Sequence, residues 1–582
     1  MFVSHHGSRH WKDHDQITTY LSDSAPSAKA AGVSRVFLPI AITGIAAVAV
    51  ALRSWRLGER ALWFDEAFTW RLASFPWAEI IERTARDNNP PLYYLLLKAW
   101  MGCFGDSTVA MRLPSVVAGA LSCVAVYLLV CEAYRRAPAI ERGRGQWMGL
   151  FAAALVAVTA LQVRWGWEAR MYACGAALSA FSSWLLLRAL HAPLAEARPK
   201  TTRRPAPLVA DPAPSAVAAD GAPDLGDMPG TAVASNVAWR PWVLYAGVAL
   251  AFAYVHTYAL FSLAAQGIFA AGYLLAESRW RPTTVFMSRR FRLALVSFVI
   301  IGAGWLPWLP VVLRQNAQVE QAYWTAPLTR WSVPTLCHQI FADPENRGAN
   351  RRAAAVAAAA CALVVLALLW RPREGDWFLL VSSVVPLSMA VTASASGRNI
   401  LSVGCFIFSQ LFLLAAAARL VSRIRKWPER TIVAAVLLMG LLLLHVDYVE
   451  RLRVTSDSGI RAAAARIAAA RRPSEPVVVC SHWYYLPMRY HLGRDAGCWL
   501  LGSAGALAHY EGTAALTEAD FIGAEELGEL TAQRVWVVGS LGNRPAGWRQ
   551  VSQAAFYEGY GVPGAVVVVE YTTGAATPVH DP

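Results

Sequence analysis

Three acids and several arginines sit in the few short polar breaks of an otherwise apolar chain. Asp65 and Glu66 are adjacent and flanked by Trp63, Phe64, Phe68 and Trp70. Asp87 opens the stretch D-N-N-P-P-L-Y-Y, residues 87–94. A carboxylate in a partly apolar pocket can take a proton from a hydroxyl, and two close together could hold a divalent cation. Acids this near a membrane segment are costly to desolvate unless they are used or paired. The plainer readings are a solvated loop pair for Asp65-Glu66 and a helix-start turn for Asp87, whose carboxylate would sit near an N-terminal dipole. Pro90 keeps Asn89 out of helical geometry, so the turn is stiff. The apolar run after the two prolines suits a helix, since helices often start at a proline.

A second polar cluster is R-W-G-W-E-A-R-M-Y, residues 164–172. Arg164 and Arg170 flank Glu168. Glu168 and Tyr172 are one helical turn apart, which places them on one expected helix face. The tryptophans and arginines also suit an anchor at headgroup level, a reading that leaves Glu168 unexplained. His256 lies between Tyr254 and Tyr258, where a lone histidine near a span end is ordinarily just hydrogen-bonded. Arg398 follows Ser394, Ser396 and Gly397, and a cation there suits an anionic headgroup or phosphate. A base with arginines is what displacement from a phosphate leaving group requires. The base deprotonates an acceptor hydroxyl, and the arginines stabilise charge growing on the phosphate.

The elements that must position these groups are membrane helices. The 582 residues are 56% hydrophobic and 16% charged, with mean hydropathy +0.36, too apolar for an ordinary soluble protein. The apolar runs are continuous rather than alternating, which excludes a β-barrel. The chain therefore reads as a polytopic α-helical membrane protein. About eleven spans are expected, near 36–52, 111–131, 147–163, 171–190, 241–257, 258–276, 292–312, 353–370, 377–395, 399–418 and 431–448. Leu92–Phe104 is short and carries Lys98, and is expected to lie on the membrane surface. The loops with Arg135–Arg136–Arg142–Arg144, Arg279–Arg281–Arg289–Arg290 and Arg423–Arg425–Lys426–Arg430 then fall on one side, the cytoplasmic side of the plasma (inner) membrane.

That orientation puts the N-terminal tail 1–35 inside, and the first loop 53–110 and the tail 451–582 outside. The membrane domain is residues 36–450. The net charge of +14 belongs to orienting loops rather than a nucleic-acid footprint. Residues 192–236, rich in Pro and Ala, are expected to be a disordered cytoplasmic insert. The tail is expected to be a small α/β domain, with a helix Gly459–Ala470 and strands Val477–Cys480, Arg534–Val538 and Ala565–Tyr571. No Gly-rich phosphate fingerprint follows a strand there, so no nucleotide is assigned. The nine cysteines show no metal-ligand spacing. Cys480 and Cys498 share the tail, and an extracytoplasmic location would permit a disulfide between them. The start of the chain is polar and has no apolar core, so no cleavable signal peptide is expected.

Several stretches, taken in order, resemble a known family. They are Asp65-Glu66, then D-N-N-P-P-L-Y-Y with Phe104-Gly105, then Arg112-Leu113-Pro114-Ser115. Glu168-Ala169-Arg170-Met171-Tyr172 and Trp305-Leu306-Pro307-Trp308-Leu309-Pro310 complete the set. It is similar to the GT-C glycosyltransferases, in the branch of the protein O-mannosyltransferases and the lipid A aminoarabinose transferases. The resemblance implies a GT-C membrane fold over roughly residues 36–450. It also implies an inverting transfer from a polyprenyl-phosphate-linked sugar to a hydroxyl of a protein, lipid or glycan acceptor. Asp65 would match the catalytic first-loop aspartate, Glu66 its neighbour and Asp87 the acid of D-x-x-P-P. Arg112, Glu168, Arg170, Tyr172, His256 and Arg398 form the expected substrate-binding set. The usual R-Y of a late span is Arg398-Asn399 here, a departure from the pattern. Metal dependence varies across the family, so a divalent cation stays open. A lipid-linked sugar transporter or flippase would need alternating access and internal repeats, and none is visible. A non-catalytic envelope scaffold, working through its tail, is the other alternative.

Overall fold

The structure, a computed structural model, describes residues 28–192, 239–321, 325–344, 350–452, 459–493, 496–558 and 564–573. The expected insert, apart from Ala192, lies outside the described residues, as does the N-terminal tail up to residue 27. Helix α1 (Ala28–Ser54) leads into a first loop built from α2 (Phe64–Ser74), α3 (Trp77–Thr84) and α4 (Leu92–Phe104). Then come α5 (Thr108–Ala133), α6 (Ala139–Val158), the short α7 (Ala160–Arg164) and α8 (Tyr172–His191). Next in the chain are α9 (Arg240–Val255), α10 (Ala259–Glu277), α11 (Pro282–Met287), α12 (Arg289–Trp305) and α13 (Leu309–Gln321). The membrane part closes with α14 (Ser332–Gln339), α15 (Arg351–Leu368), α16 (Glu374–Ser396), α17 (Ile407–Ser422) and α18 (Trp427–Leu452).

Among the described residues, nine helical segments are long and apolar enough to cross a membrane. The expected spans 147–163 and 241–257 are shorter apolar helices, Arg144–Val158 and Arg240–Val255. The first of them ends at Thr159, whose extended backbone (ψ 130°) separates α6 from α7. Burial sorts the bundle. In the apolar windows of α8 and of Val403–Ser422, 72% and 78% of residues are buried, against 11% in α1 and α15. The first pair forms the centre and the second pair the lipid-facing rim, where side chains are apolar all round because hydrocarbon is the solvent.

The three basic loops meet at one end of the bundle. Arg135 pairs with Glu132 at 3.1 Å and Arg423 with Asp376 at 3.2 Å. Tyr134 donates to Asp376 at 2.7 Å, and Arg290 pairs with Glu277 and donates to the Ala192 carbonyl. The first loop occupies the opposite end.

Local chemistry sets the loop. Helix α2 carries Asp65 and Glu66 in its first turn, where the helix dipole favours acids. It ends at Phe75, held extended (ψ 164°) before Pro76. Helix α4 follows Pro91 and stops at Gly105, whose φ of +78° suits glycine. Ser107 caps α5 by accepting from the Ala110 N–H at 3.2 Å.

The C-terminal part holds α19 (Gly459–Ala470), β1 (Val477–Val479), α20 (His482–Leu492), β2 (Cys498–Leu501), β3 (Phe521–Ile522), α21 (Ala524–Gly528), β4 (Arg534–Val538), β5 (Arg549–Glu558) and β6 (Gly564–Thr572). The sheet order is β3-β2-β1-β4-β6-β5. The first four strands run parallel, and β6 is antiparallel to β4 and β5. Val477, Val478 and Val479 are all buried, as expected for a parallel strand covered on both faces.

Two expectations need correction, and one open pairing is decided. Cys480 and Cys498, for which the sequence only permits a disulfide, are both free. Cys498 lies opposite Val477 in the register, so Cys480 is three residues further along, about 10 Å, beyond disulfide reach. Residues 165–171 form turns rather than helix, so Glu168 and Tyr172 share no helix face. Strands β2, β3 and β5 complete a sheet of which only β1, β4 and β6 were expected.

The C-terminal domain is not a detached tail. Its Ile460, Ile467, Tyr485, Leu486 and Val538 share one hydrophobic core with Phe64, Phe68, Leu72 and Tyr94 of the first loop. Arg83 of α3 donates to the carbonyls of Ala514 (2.9 Å) and Leu516 (3.1 Å), and Arg461 of α19 to that of Gly58 (2.8 Å).

Candidate active site

The first turn of α2 presents two neighbouring acids in opposite directions. Glu66 turns inward and is 0% exposed, as is Arg112 of α5. They pair in parallel, Nε to Oε1 at 2.8 Å and Nη2 to Oε2 at 2.5 Å. Arg112 also donates to the carbonyls of Leu57 (2.6 Å), Arg60 (3.0 Å) and Ala61 (3.0 Å). Glu66 also accepts from the Ala169 N–H at 2.9 Å. A charged pair taken out of water needs this degree of hydrogen bonding. The pair ties the α1–α2 connection, α5 and the turn 165–171 into one body.

Asp65 turns the other way, and its side chain is 29% exposed. Arg170 lies beside it, Nη2 to Oδ2 at 3.6 Å. Arg170 also donates to Thr69 Oγ1 (3.0 Å) and to the Asp65 carbonyl (3.3 Å). Its own carbonyl accepts from Ser115 Oγ at 3.2 Å. Burial alone would pull the guanidinium down, but Asp65 first, then Tyr94, Tyr172 and Asp87, hold it well above its ordinary value.

Asp87 is 8% exposed. Asn89 Nδ2 donates to it at 3.3 Å, and its own N–H reaches the Thr84 carbonyl. That carbonyl is held by Gln315 of α13 (3.1 Å), and the next turn by Thr257, which donates to the Asn88 carbonyl (3.3 Å). Burial pushes the Asp87 carboxyl up, while the Asn88 N–H and Arg170 pull it back and Asp65 adds to the rise. Asp65, Asp87 and Arg170 therefore share one electrostatic site.

The other expected residues divide. Glu168 is fully buried and pairs with Arg164, whose guanidinium lies 5.6 Å from the Trp63 ring centre. Tyr172 packs against Trp165, ring centres 4.0 Å apart and tilted by 48°, and is 5.9 Å from the Arg170 guanidinium. His256 caps α9 among the rings of Tyr172 (5.4 Å), Tyr258 (5.8 Å) and Phe408 (5.3 Å). Its Nδ1 accepts from the Tyr258 N–H at 3.1 Å. Burial, then Arg170, push it down to about 3, so it is neutral. Arg398 is exposed, and its hydrogen bonds go to the carbonyls of Glu320 (3.1 Å) and Gln321 (3.4 Å) rather than to the acids.

Several supports carry little signal in the residues alone. Thr69 and Ser115 hold Arg170, and nothing in their spacing singles them out. Arg53 is fully buried and donates to the carbonyls of Ala49 and Ala157, both at 3.1 Å. It lies in a notch between Gly119 and Gly166, where a Cβ on either would collide with its guanidinium. The glycine inside R-W-G-W was the available signal. Phe64, next to Asp65, is held by Trp483 (4.8 Å) and His482 (6.1 Å) of α20. Among the described residues, no three His, Cys, Asp or Glu side chains converge as a metal site.

Known proteins share this architecture. Residues 88–197 match the family model described as dolichyl-phosphate-mannose-protein mannosyltransferase. The crystal structure of ArnT from Cupriavidus metallidurans in the apo state superposes with a TM-score of 0.54 at 14% identity, covering 92% of this chain and 99% of that one. The same protein bound to undecaprenyl phosphate gives 0.46 at 15% identity, over 93% and 99% of the two chains. The Archaeoglobus fulgidus oligosaccharyltransferase in complex with Zn and sulfate gives 0.45 at 12% identity, over 86% and 68%. No curated protein matches. The membrane fold is thus the GT-C fold, as in ArnT. ArnT is what this chain is similar to over nearly its whole length, at an identity that speaks for the fold alone.

Proposed function

We propose that the chain is a membrane glycosyltransferase. It moves a sugar from a polyprenyl-phosphate donor to an acceptor hydroxyl at the first-loop end of the bundle, on the extracytoplasmic side. The observation that carries this reading is the reachable Asp65 carboxylate 3.6 Å from a guanidinium that Thr69 Oγ1 and the Asp65 carbonyl hold in place. In this mechanism Asp65 takes the proton of the acceptor hydroxyl. The hydroxyl oxygen forms the new bond to the anomeric carbon from the face opposite the phosphate, which inverts that centre. The bond from that carbon to the phosphate oxygen breaks, and the phosphate leaves with the electron pair, its charge met by Arg170. The likeness to ArnT and the family match at residues 88–197 support this reading.

The expected roles are thereby redistributed. Glu66, with Arg112, fixes the helix that carries Asp65, and Glu168, with Arg164, fixes the turn that carries Arg170. Should a divalent cation take part, Asp65 and Asp87 are the carboxylates to hold it. The acids lie in the first loop rather than midway along a span, which speaks against a carrier.

The test is purified Asp65→Asn assayed with a lipid-linked sugar. Transfer falls by about 10²–10⁴, the usual contribution of a general base, while the melting temperature holds. Full transfer by that variant removes Asp65 from the mechanism.

A further inference from the structure

Two adjacent tyrosines of α4 differ in one respect. The Tyr93 hydroxyl lies 3.4 Å from Ser115 Oγ, which in turn donates to the Arg170 carbonyl. The Tyr94 hydroxyl is buried and has no hydrogen-bond partner among the described residues, and the Tyr94 side chain is 0% exposed. Its ring packs edge-on against Phe68 (6.4 Å) and Tyr93 (6.2 Å). The charged groups that act on that hydroxyl are Arg170 first, then Asp87 and Asp65.

A buried hydroxyl left without a partner is unfavourable. It has a reason to persist where a ligand completes it. Both neighbouring acids are acceptors, yet neither takes its hydrogen. A ligand atom that satisfies a guanidinium and a hydroxyl together must be an acceptor, and an anionic one suits the cation. The phosphate of the donor has that chemistry, and a sugar hydroxyl lacks the charge.

We infer that the Tyr94 hydroxyl is a second hydrogen-bond donor, beside Arg170, to the phosphate of the lipid-linked donor. This rests on the glycosyl-transfer reading above and adds a specific phosphate contact to it. The hydroxyl supports no other group of the fold, so its removal leaves the fold intact. In the bound state it meets a phosphate oxygen as charge grows there.

The experiment is thermal melting of the purified full chain in detergent, alone and titrated with a short-chain polyprenyl monophosphate or with inorganic phosphate. Wild type, Tyr94→Phe and Tyr93→Phe are compared. Without ligand, Tyr94→Phe melts with wild type, whereas Tyr93→Phe, which loses its contact to Ser115, melts lower. With the lipid phosphate, Tyr94→Phe binds about 10- to 100-fold more weakly than wild type, the range for one hydrogen bond to a charged group. Tyr93→Phe, which reaches Arg170 only through Ser115, loses less affinity than Tyr94→Phe. A difference seen with the lipid phosphate alone assigns the contact to the lipid-linked form. The same difference with inorganic phosphate assigns it to the phosphate group itself, and both results support the inference.

Equal affinity of Tyr94→Phe and wild type overturns the role of Tyr94 and leaves the transfer reading standing. A marked drop in melting of unliganded Tyr94→Phe also overturns it, since the hydroxyl would then have a partner within the fold. Failure of wild type to bind the lipid phosphate overturns this inference together with the donor class on which it rests.

Discussion

Asp65 and Glu66 are neighbours in sequence, each beside an arginine, and the two pairs could hardly differ more in setting. Glu66 and Arg112 are both wholly buried, doubly hydrogen-bonded, and surrounded by three carbonyls and an amide. Asp65 and Arg170 stand 3.6 Å apart, and the acid keeps 29% of its side chain exposed. The first pair has every valence met and nothing left to offer a substrate. The second leaves its acid partly open to solvent. One residue of rotation around α2 separates a wholly buried ion pair from a partly exposed one, which spacing in the sequence cannot distinguish.

The contrast can be broken from several sides. The largest effect is expected from removing residues 459–582. The core shared with Phe64, Phe68 and Leu72 would be opened, and limited proteolysis should cut the first loop at once and transfer should vanish. A protected loop in the truncated chain would show that the C-terminal domain does not support α2. Next is Glu66→Gln, which strands the Arg112 charge in the interior and should cost about 3–5 kcal/mol of stability. Melting and folded yield read this directly.

Arg170→Lys keeps the charge but loses the planar fork. It should lower transfer by about 10²–10³ with little change in melting. If transfer survives, the phosphate charge is met elsewhere, and Arg398 becomes the first alternative.

The pH effects are smaller and their signs derive from the shifts. Asp87 is raised by burial, so the stability its neutral form contributes is present below the ordinary carboxylate value, about 3.9, and is lost as pH rises through its raised value. Asp87→Asn should therefore melt above wild type at pH near 7, with the gap closing as the pH approaches about 4. His256 is pushed down to about 3, so stability is present above its ordinary value and is lost as pH falls toward about 3. His256→Gln should flatten that decline, and an unchanged profile would place the histidine outside the buried charge network.

Much of the architecture is legible in the residues. Apolar runs mark the bundle, because a helix facing lipid must be apolar throughout its length. Helices Leu92–Phe104 and Gly459–Ala470 match their expected bounds, each marked by a clear start or stop. Strand β5 is not legible because Arg549–Glu558 is an edge strand whose half-buried positions (Ser552, Ala554, Phe556) are no more apolar than its exposed ones (Val551, Ala555, Tyr557). Strand β2 is only four residues long. The break after Val158 is hidden because Thr159 reads as an ordinary helical position in an apolar run. In the site, residue types point to acids and arginines, but which acid meets which arginine depends on contacts across about fifty to a hundred positions. Glu66 finds Arg112 at a separation of 46 residues and Arg170 finds Thr69 at 101. The docking of α20 against Phe64 has no local signal at all.

The most direct measurement is transfer per folded molecule in Asp65→Asn and Glu66→Gln, prepared side by side with a lipid-linked sugar donor. Asp65→Asn is expected to melt like wild type and to transfer almost nothing. Glu66→Gln is expected to melt well below wild type, with its surviving folded fraction still turning over. The reverse pattern, a stable but inactive Glu66→Gln beside a fully active Asp65→Asn, would contradict the division of labour between the two acids.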